Sequence, residues 1–159
     1  MVSVGVKRSI GSANTLQRFD NNFRRKNSFM KIAMIIVRTL MAILFLFGSI
    51  TYFFNLITPP PMEGAIKTFN EGLAASGYFF TLLKVTELVC GLLLLVGRFV
   101  PLALVILSPI IVNIFFVHTL LDRSGLPIAI FLVAANIFLA YCYRDAFKPL
   151  LTSKYSPAT

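Results

Sequence analysis

The chain has 159 residues, 57% of them hydrophobic and only 13% charged, with a net charge of +9 and a mean hydropathy of +0.82. That much apolar surface is out of place in a small soluble domain, so the chain belongs with membrane proteins. The basic residues sort by position along the chain and form no patch interleaved with exposed aromatics, which argues against a nucleic-acid partner.

Residues 1–31 are polar and basic, with Lys7, Arg8, Arg18, Arg24, Arg25, Lys26 and Lys31 against a single acid, Asp20. No apolar h-region precedes the first long apolar run, so no cleavable secretory signal is expected. The segment reads as a disordered cytoplasmic arm held near anionic lipid.

Four runs long and apolar enough to span a bilayer follow, at about 32–57, 78–97, 99–120 and 126–143. After the first, Pro59, Pro60 and Pro61 are expected to end the helix, because proline lacks the N–H and clashes with the preceding turn. Met62, Ala65, Ile66, Phe69 and Leu73 then recur at helical spacing while Glu63, Lys67, Asn70 and Glu71 face elsewhere. This pattern predicts a short amphipathic helix in the outer interface, a connector or a lid. Gly97 and Pro101 predict a tight turn between the second and third spans. Asp122, Arg123, Ser124 and Gly125 supply another before the fourth. Short connections make neighbouring spans antiparallel. The expected fold is all-α, a four-helix transmembrane bundle over 32–151 with a short outer interfacial helix and a tail at 152–159. Lys and Arg near span ends favour the cytoplasm, and the arm, Arg98, Arg144, Lys148 and Lys154 outnumber Lys67 and Arg123. Both termini are therefore expected in the cytoplasm.

Inside the second span, Lys84 and Glu87 are three residues apart and share a helical face. A charge at mid-membrane depth costs about 2.5–3.5 kcal/mol on insertion scales, so it points into a bundle and finds a partner. In the first span Arg38, Met41, Phe45, Gly48, Tyr52 and Asn55 fall on one stripe. Counted from the inner ends of their spans, Arg38 lies ~9 Å deep and Glu87 ~15 Å, a difference that a guanidinium on its long stem bridges. An Arg38–Glu87 pair is expected, leaving Lys84 to meet Asn113, Asn55, Tyr52 or an anionic ligand. The same charges also read as helix-register devices. Asn113 and Asn136 read as amides bonded across helices, and Pro109 as a kink near them. His118 is the only histidine, so bis-histidine haem ligation and a histidine-based metal site are not expected. Cys90 and Cys142 belong to no Cys-x-x-Cys pair and read as inert thiols.

The run from Lys84 and Glu87 through Gly91 to Gly97-Arg98 and Pro101 resembles the second-to-third helix region of DoxX family membrane proteins. Arg38, the three prolines followed by Ala74 to Tyr78, Pro109 with Asn113 and His118, and the closing Tyr143 to Phe147 fit the same order and spacing. The resemblance covers about residues 31–151. It implies a four-helix membrane protein of a kind described as an oxidoreductase component, with Arg38, Lys84, Glu87 and Gly91 at the family's polar helix positions. Family namesakes include a subunit of thiosulfate:quinone oxidoreductase, and other relatives associate with redox-defence enzymes or assist assembly. With no intrinsic cofactor expected, electron transfer would call for a bound quinone or a protein partner in a membrane complex. The expected ligand-binding residues are Lys84, Glu87, Arg38, Asn113 and Tyr52, in the inner membrane of a bacterium. A non-enzymatic assembly factor, a small proton-coupled transporter and a homo-oligomer stay open as alternatives.

Overall fold

The computed structural model describes the backbone of residues 3–57 and 61–151 and the side chains of 28–57 and 61–149. Helices run in the order α1 (Ser3–Phe53), α2 (Ala65–Ala75), α3 (Phe79–Val96), α4 (Val100–Leu120), α5 (Leu126–Cys142) and α6 (Arg144–Phe147). Short 3-10 turns occupy Arg123–Gly125 and Lys148–Leu151. No strand occurs among the described residues. The chain divides into two compact units, 1–36 and 37–159. In the first, where an irregular arm is expected over 1–31, the backbone is helical from Ser3. Phe29, Ile32 and Ile36 of that unit are exposed.

The second unit holds the bundle. Its core is built from one narrow stripe of each of the four long helices: Met41, Ala42, Phe45 and Ser49 of α1; Glu87, Cys90, Gly91 and Leu94 of α3; Ala103, Leu104, Leu107 and Ile111 of α4; and Ala129, Leu132, Ala135 and Leu139 of α5. Steps of three and four put these residues on one face of each helix. The opposite faces are apolar too, with Phe47, Leu82, Val89, Val112, Phe116, Ile130 and Ile137 exposed. A bundle apolar inside and outside suits lipid as its solvent. Among the described residues, four helical segments are long and apolar enough to cross a membrane: Ser28–Phe53, Phe79–Val96, Val100–Leu120 and Arg123–Cys142.

The part of α1 from Val37 onward runs antiparallel to α3. Tyr52 meets Thr81 near one end, Gly48 lies beside Lys84, Gly91 beside Ala42 and Leu46, and Gly97 beside Arg38 at the other. Gly91 lets the helices approach closely, as small residues do in membrane bundles.

Helix α1 stops at Phe53, short of the prolines, of which Pro59 and Pro60 lie outside the described residues. Asn55 takes a left-handed conformation with φ 51°, and Leu56 N donates to Thr51 O at 3.1 Å. Asparagine tolerates this conformation better than most residues because its short polar side chain bonds locally. At the α3–α4 turn, Gly97 at φ 77° caps α3, and Arg98 N returns to Leu93 O at 3.1 Å. Helix α2 forms where the amphipathic pattern predicts it, and Ile66, Phe69 and Leu73 are its less exposed apolar residues.

Candidate functional site

Helix α3 carries Lys84 and Glu87 on the face turned to the core. Lys84 Nζ donates to Glu87 Oε2 at 2.7 Å. The glutamate side chain is 4% exposed and the lysine side chain 22%, so the carboxylate is sealed in the bundle while its ammonium partner reaches toward an opening. The ammonium lies beside Gly48 of α1, where a Cβ would stand in ordinary contact with Lys84 Nζ at 3.8 Å.

Gly48 is also part of the wall of a groove of about 430 Å³ lined with Thr51, Tyr52, Asn55 and Ile57. A second groove of about 460 Å³ is lined by Gly77, Tyr78, Thr81, Leu82 and Val85 of the α3 start. The hydroxyls of Tyr52 and Thr81 meet between them at 3.5 Å. An ammonium beside the Gly48 wall of a partly polar groove can donate to a ligand oxygen. The carboxylate behind it balances the charge and can accept a proton. Ser49, next to Gly48, is fully buried, and its hydroxyl has no hydrogen-bond partner among the described residues. Sequence reasoning passed over it because one serine in an apolar run carries no signal.

Arg38 does not pair with Glu87. Its Nη1 donates to Tyr143 Oη at 3.4 Å, and its guanidinium lies against Gly97, ten residues or ~15 Å beyond Glu87 along α3. Two causes account for the correction. Lys84, one turn from Glu87 on the same helix, is the nearer cation. Gly97 and Tyr143 are the C-terminal caps of α3 and α5, where helix dipoles and unsatisfied carbonyls favour a positive charge. Arg38 Nε is buried without a partner among the described residues.

Tyr52 lines the groove above Lys84 and is 39% exposed. Asn113 is exposed on α4 and is not brought to the Lys84 region by any contact among the described residues. Asn136 instead lines a separate notch between α4 and α5. His118 sits at the α4–α5 turn, its Nδ1 3.0 Å from Asp122 O and its ring packed on Gly125. Asp122 accepts from Ser124 N at 3.0 Å and from Ser124 Oγ at 2.5 Å, and the Ser124 hydroxyl and amide hold its carboxyl below the ordinary range. Among the described residues no cluster of three His, Cys, Asp or Glu could hold a metal ion.

Compared with known proteins, residues 10–119 match the family model described as DoxX. The match covers more than half of the chain and includes Arg38, Tyr52, Lys84, Glu87 and Asn113. No curated protein and no solved structure matches it.

Proposed function

This chain belongs to the DoxX family, and on that premise we propose that it is a subunit of a membrane oxidoreductase complex, holding a quinone or a small anionic ligand at Lys84 and Glu87. The observation that supports this reading is the 2.7 Å Lys84–Glu87 pair, sealed on the carboxylate side and reaching on the ammonium side to the Gly48 wall of a groove. In a low dielectric, an ammonium held ready is a strong donor to a carbonyl or anionic oxygen. Glu87, displaced from Lys84 by that oxygen, gains the capacity to take a proton from a hydroxyl group. A quinone supplies two-electron chemistry, and its apolar tail suits the surrounding bilayer. Electrons then pass to or from a partner subunit, since one histidine cannot ligate a haem from both sides.

The basic bias of Arg98, Arg144, Lys148 and Lys154 supports a cytoplasmic face at the Arg38 end of the bundle, in a bacterial inner membrane. The Tyr52 groove then opens on the outer side. A second reading, a non-catalytic assembly factor, draws on Arg38, whose charge serves helix packing. Purified protein in lipid nanodiscs tests the first: quinone or anion binding is expected to fall at least tenfold in Lys84→Met and Glu87→Gln. Unchanged binding in correctly folded variants removes the ligand site. Loss of a co-purifying partner in proportion to lost folding favours the assembly reading.

A further inference from the structure

We infer that the notch between α4 and α5 is a separate binding site for an uncharged ring bearing a hydroxyl, entering from the bilayer. The notch measures about 170 Å³ and is lined by Leu104, Val105, Ser108, Asn136, Ala140 and Phe147. It lies toward the α6 end of the bundle, with Ser108 and Asn136 ~12 and ~9 Å from the ends of their helices there.

Two polar side chains line it without hydrogen-bond partners among the described residues, and one backbone carbonyl beside it lacks its usual helical donor. The Asn136 amide offers two N–H donors and a carbonyl, yet it makes no hydrogen bond to any described residue. Ser108 is equally unpaired. Thr51, Thr86 and Thr119 return their hydroxyls to a carbonyl one turn back, and Ser108 leaves that capacity unused. Its neighbour Pro109 lies inside α4 and has no N–H for the carbonyl of Val105, four residues earlier. In lipid each such group costs free energy until something satisfies it.

The shape and lining select the ligand. No charged side chain lines the notch, so an ion would enter without a counter-charge, and its desolvation would not be repaid. An engineered apolar cavity of about 150 Å³ holds benzene, so this notch has room for one six-membered ring. Leu104, Ala140 and Phe147 face the ring, while a hydroxyl can accept from Asn136 or Ser108 and donate to Val105 O or the Asn136 carbonyl. Val105 is 51% exposed on the apolar outer surface, which places the mouth among lipid chains. This site stands apart from Lys84 and Glu87 and does not depend on the reading given to them.

Phenol, toluene and benzoate, which share one ring, test the inference on full-length protein in nanodiscs. The readout is the side-chain amide resonance of Asn136 together with the melting temperature. Phenol is expected to shift the resonance saturably and raise the melting temperature. Toluene should bind about tenfold more weakly, the equivalent of one good hydrogen bond, and benzoate not at all. Ser108→Ala should weaken phenol binding several-fold, and Asn136→Leu should abolish it; should the leucine variant fail to fold, the alanine variant carries the test. Equal binding of phenol and toluene would mean packing alone and overturn the proposal. So would unsaturable phenol shifts, which would mean a notch filled by water or by a partner helix.

Discussion

The guanidinium of Arg38 occupies the space that a Cβ on Gly97 would need, with three of its atoms closer to that position than any real Cβ contact allows. Glycine is favoured there chiefly by its φ of 77°, and any added Cβ would also push the end of the flexible arginine aside. The contact seats a cation on the C-terminal end of α3, and the bond to Tyr143 links it to the end of α5. An arginine without a carboxylate partner is thus tolerated near the bundle end, where two helix dipoles converge on it.

Gly97→Ala is expected to destabilise the bundle by about 1–2 kcal/mol. Alanine in the left-handed region costs roughly 1–2 kcal/mol, and the guanidinium must also move. Thermal unfolding in detergent, followed by circular dichroism, measures the loss. Arg38→Met in the Gly97→Ala background should recover the steric part, giving a coupling between the two positions.

Removing the two members of the buried pair should have unequal costs. Lys84→Met leaves Glu87 charged or protonated with its side chain 4% exposed, whereas Glu87→Gln leaves an ammonium that already reaches an opening. The first is expected to cost about 3 kcal/mol or more and the second clearly less. Replacing both, as Lys84→Met with Glu87→Gln, should be milder than Lys84→Met alone, because no unpaired charge remains. Unfolding in detergent across the four proteins gives the cycle.

Gly91 is the close-approach point of α1 and α3. A Cβ there would lie 3.1 Å from Leu46 Cγ, 3.2 Å from Leu46 Cδ2 and 3.4 Å from Ala42 O. Gly91→Ala should be absorbed by a small shift of Leu46. Gly91→Val should force the helices apart at a cost of about 1–3 kcal/mol. A cross-linking pair placed at Tyr52 and Thr81, whose hydroxyls meet at 3.5 Å, and reacted in the membrane would report the separation.

The Asp122 carboxyl, held low by Ser124, ties its turn's order to pH. A carboxyl with a depressed folded-state value stabilises the turn above its ordinary value, near 3.8. The contribution disappears as pH falls through the lower folded-state value. The protection factor of the Ser124 amide, its exchange rate relative to an unstructured amide at the same pH, is expected to hold above the folded-state value and to drop once the solution is acid enough to protonate Asp122. Ser124→Ala, which loses the hydroxyl and keeps the amide donor, should weaken that acid-dependent step and move it to higher pH.

Much of this architecture was legible in the chain because lipid demands simple patterns. Apolar length alone marks the spans, since a helix that crosses hydrocarbon must satisfy its own backbone and present no bare charge. Gly97 with Pro101 located a turn, and the spacing of Ile66, Phe69 and Leu73 located α2, because capping and amphipathicity are local properties. The face shared by Lys84 and Glu87 was equally local. The end of α1 was harder: three consecutive prolines drew attention away from Asn55, whose left-handed turn stops the helix earlier.

By itself, then, the sequence determined four spans, the helix between the first two and a lysine beside a glutamate in the second. Only the tertiary structure decided which cation that glutamate uses. Depth along a helix axis fixes one coordinate, and Arg38 could seem within reach of Glu87 on that coordinate alone. The rotation of α1 and its register against α3 place Arg38 on Gly97 and Gly48 on Lys84. Pairing therefore follows distance in three dimensions, with Lys84 one turn away and Arg38 held between the ends of α3 and α5.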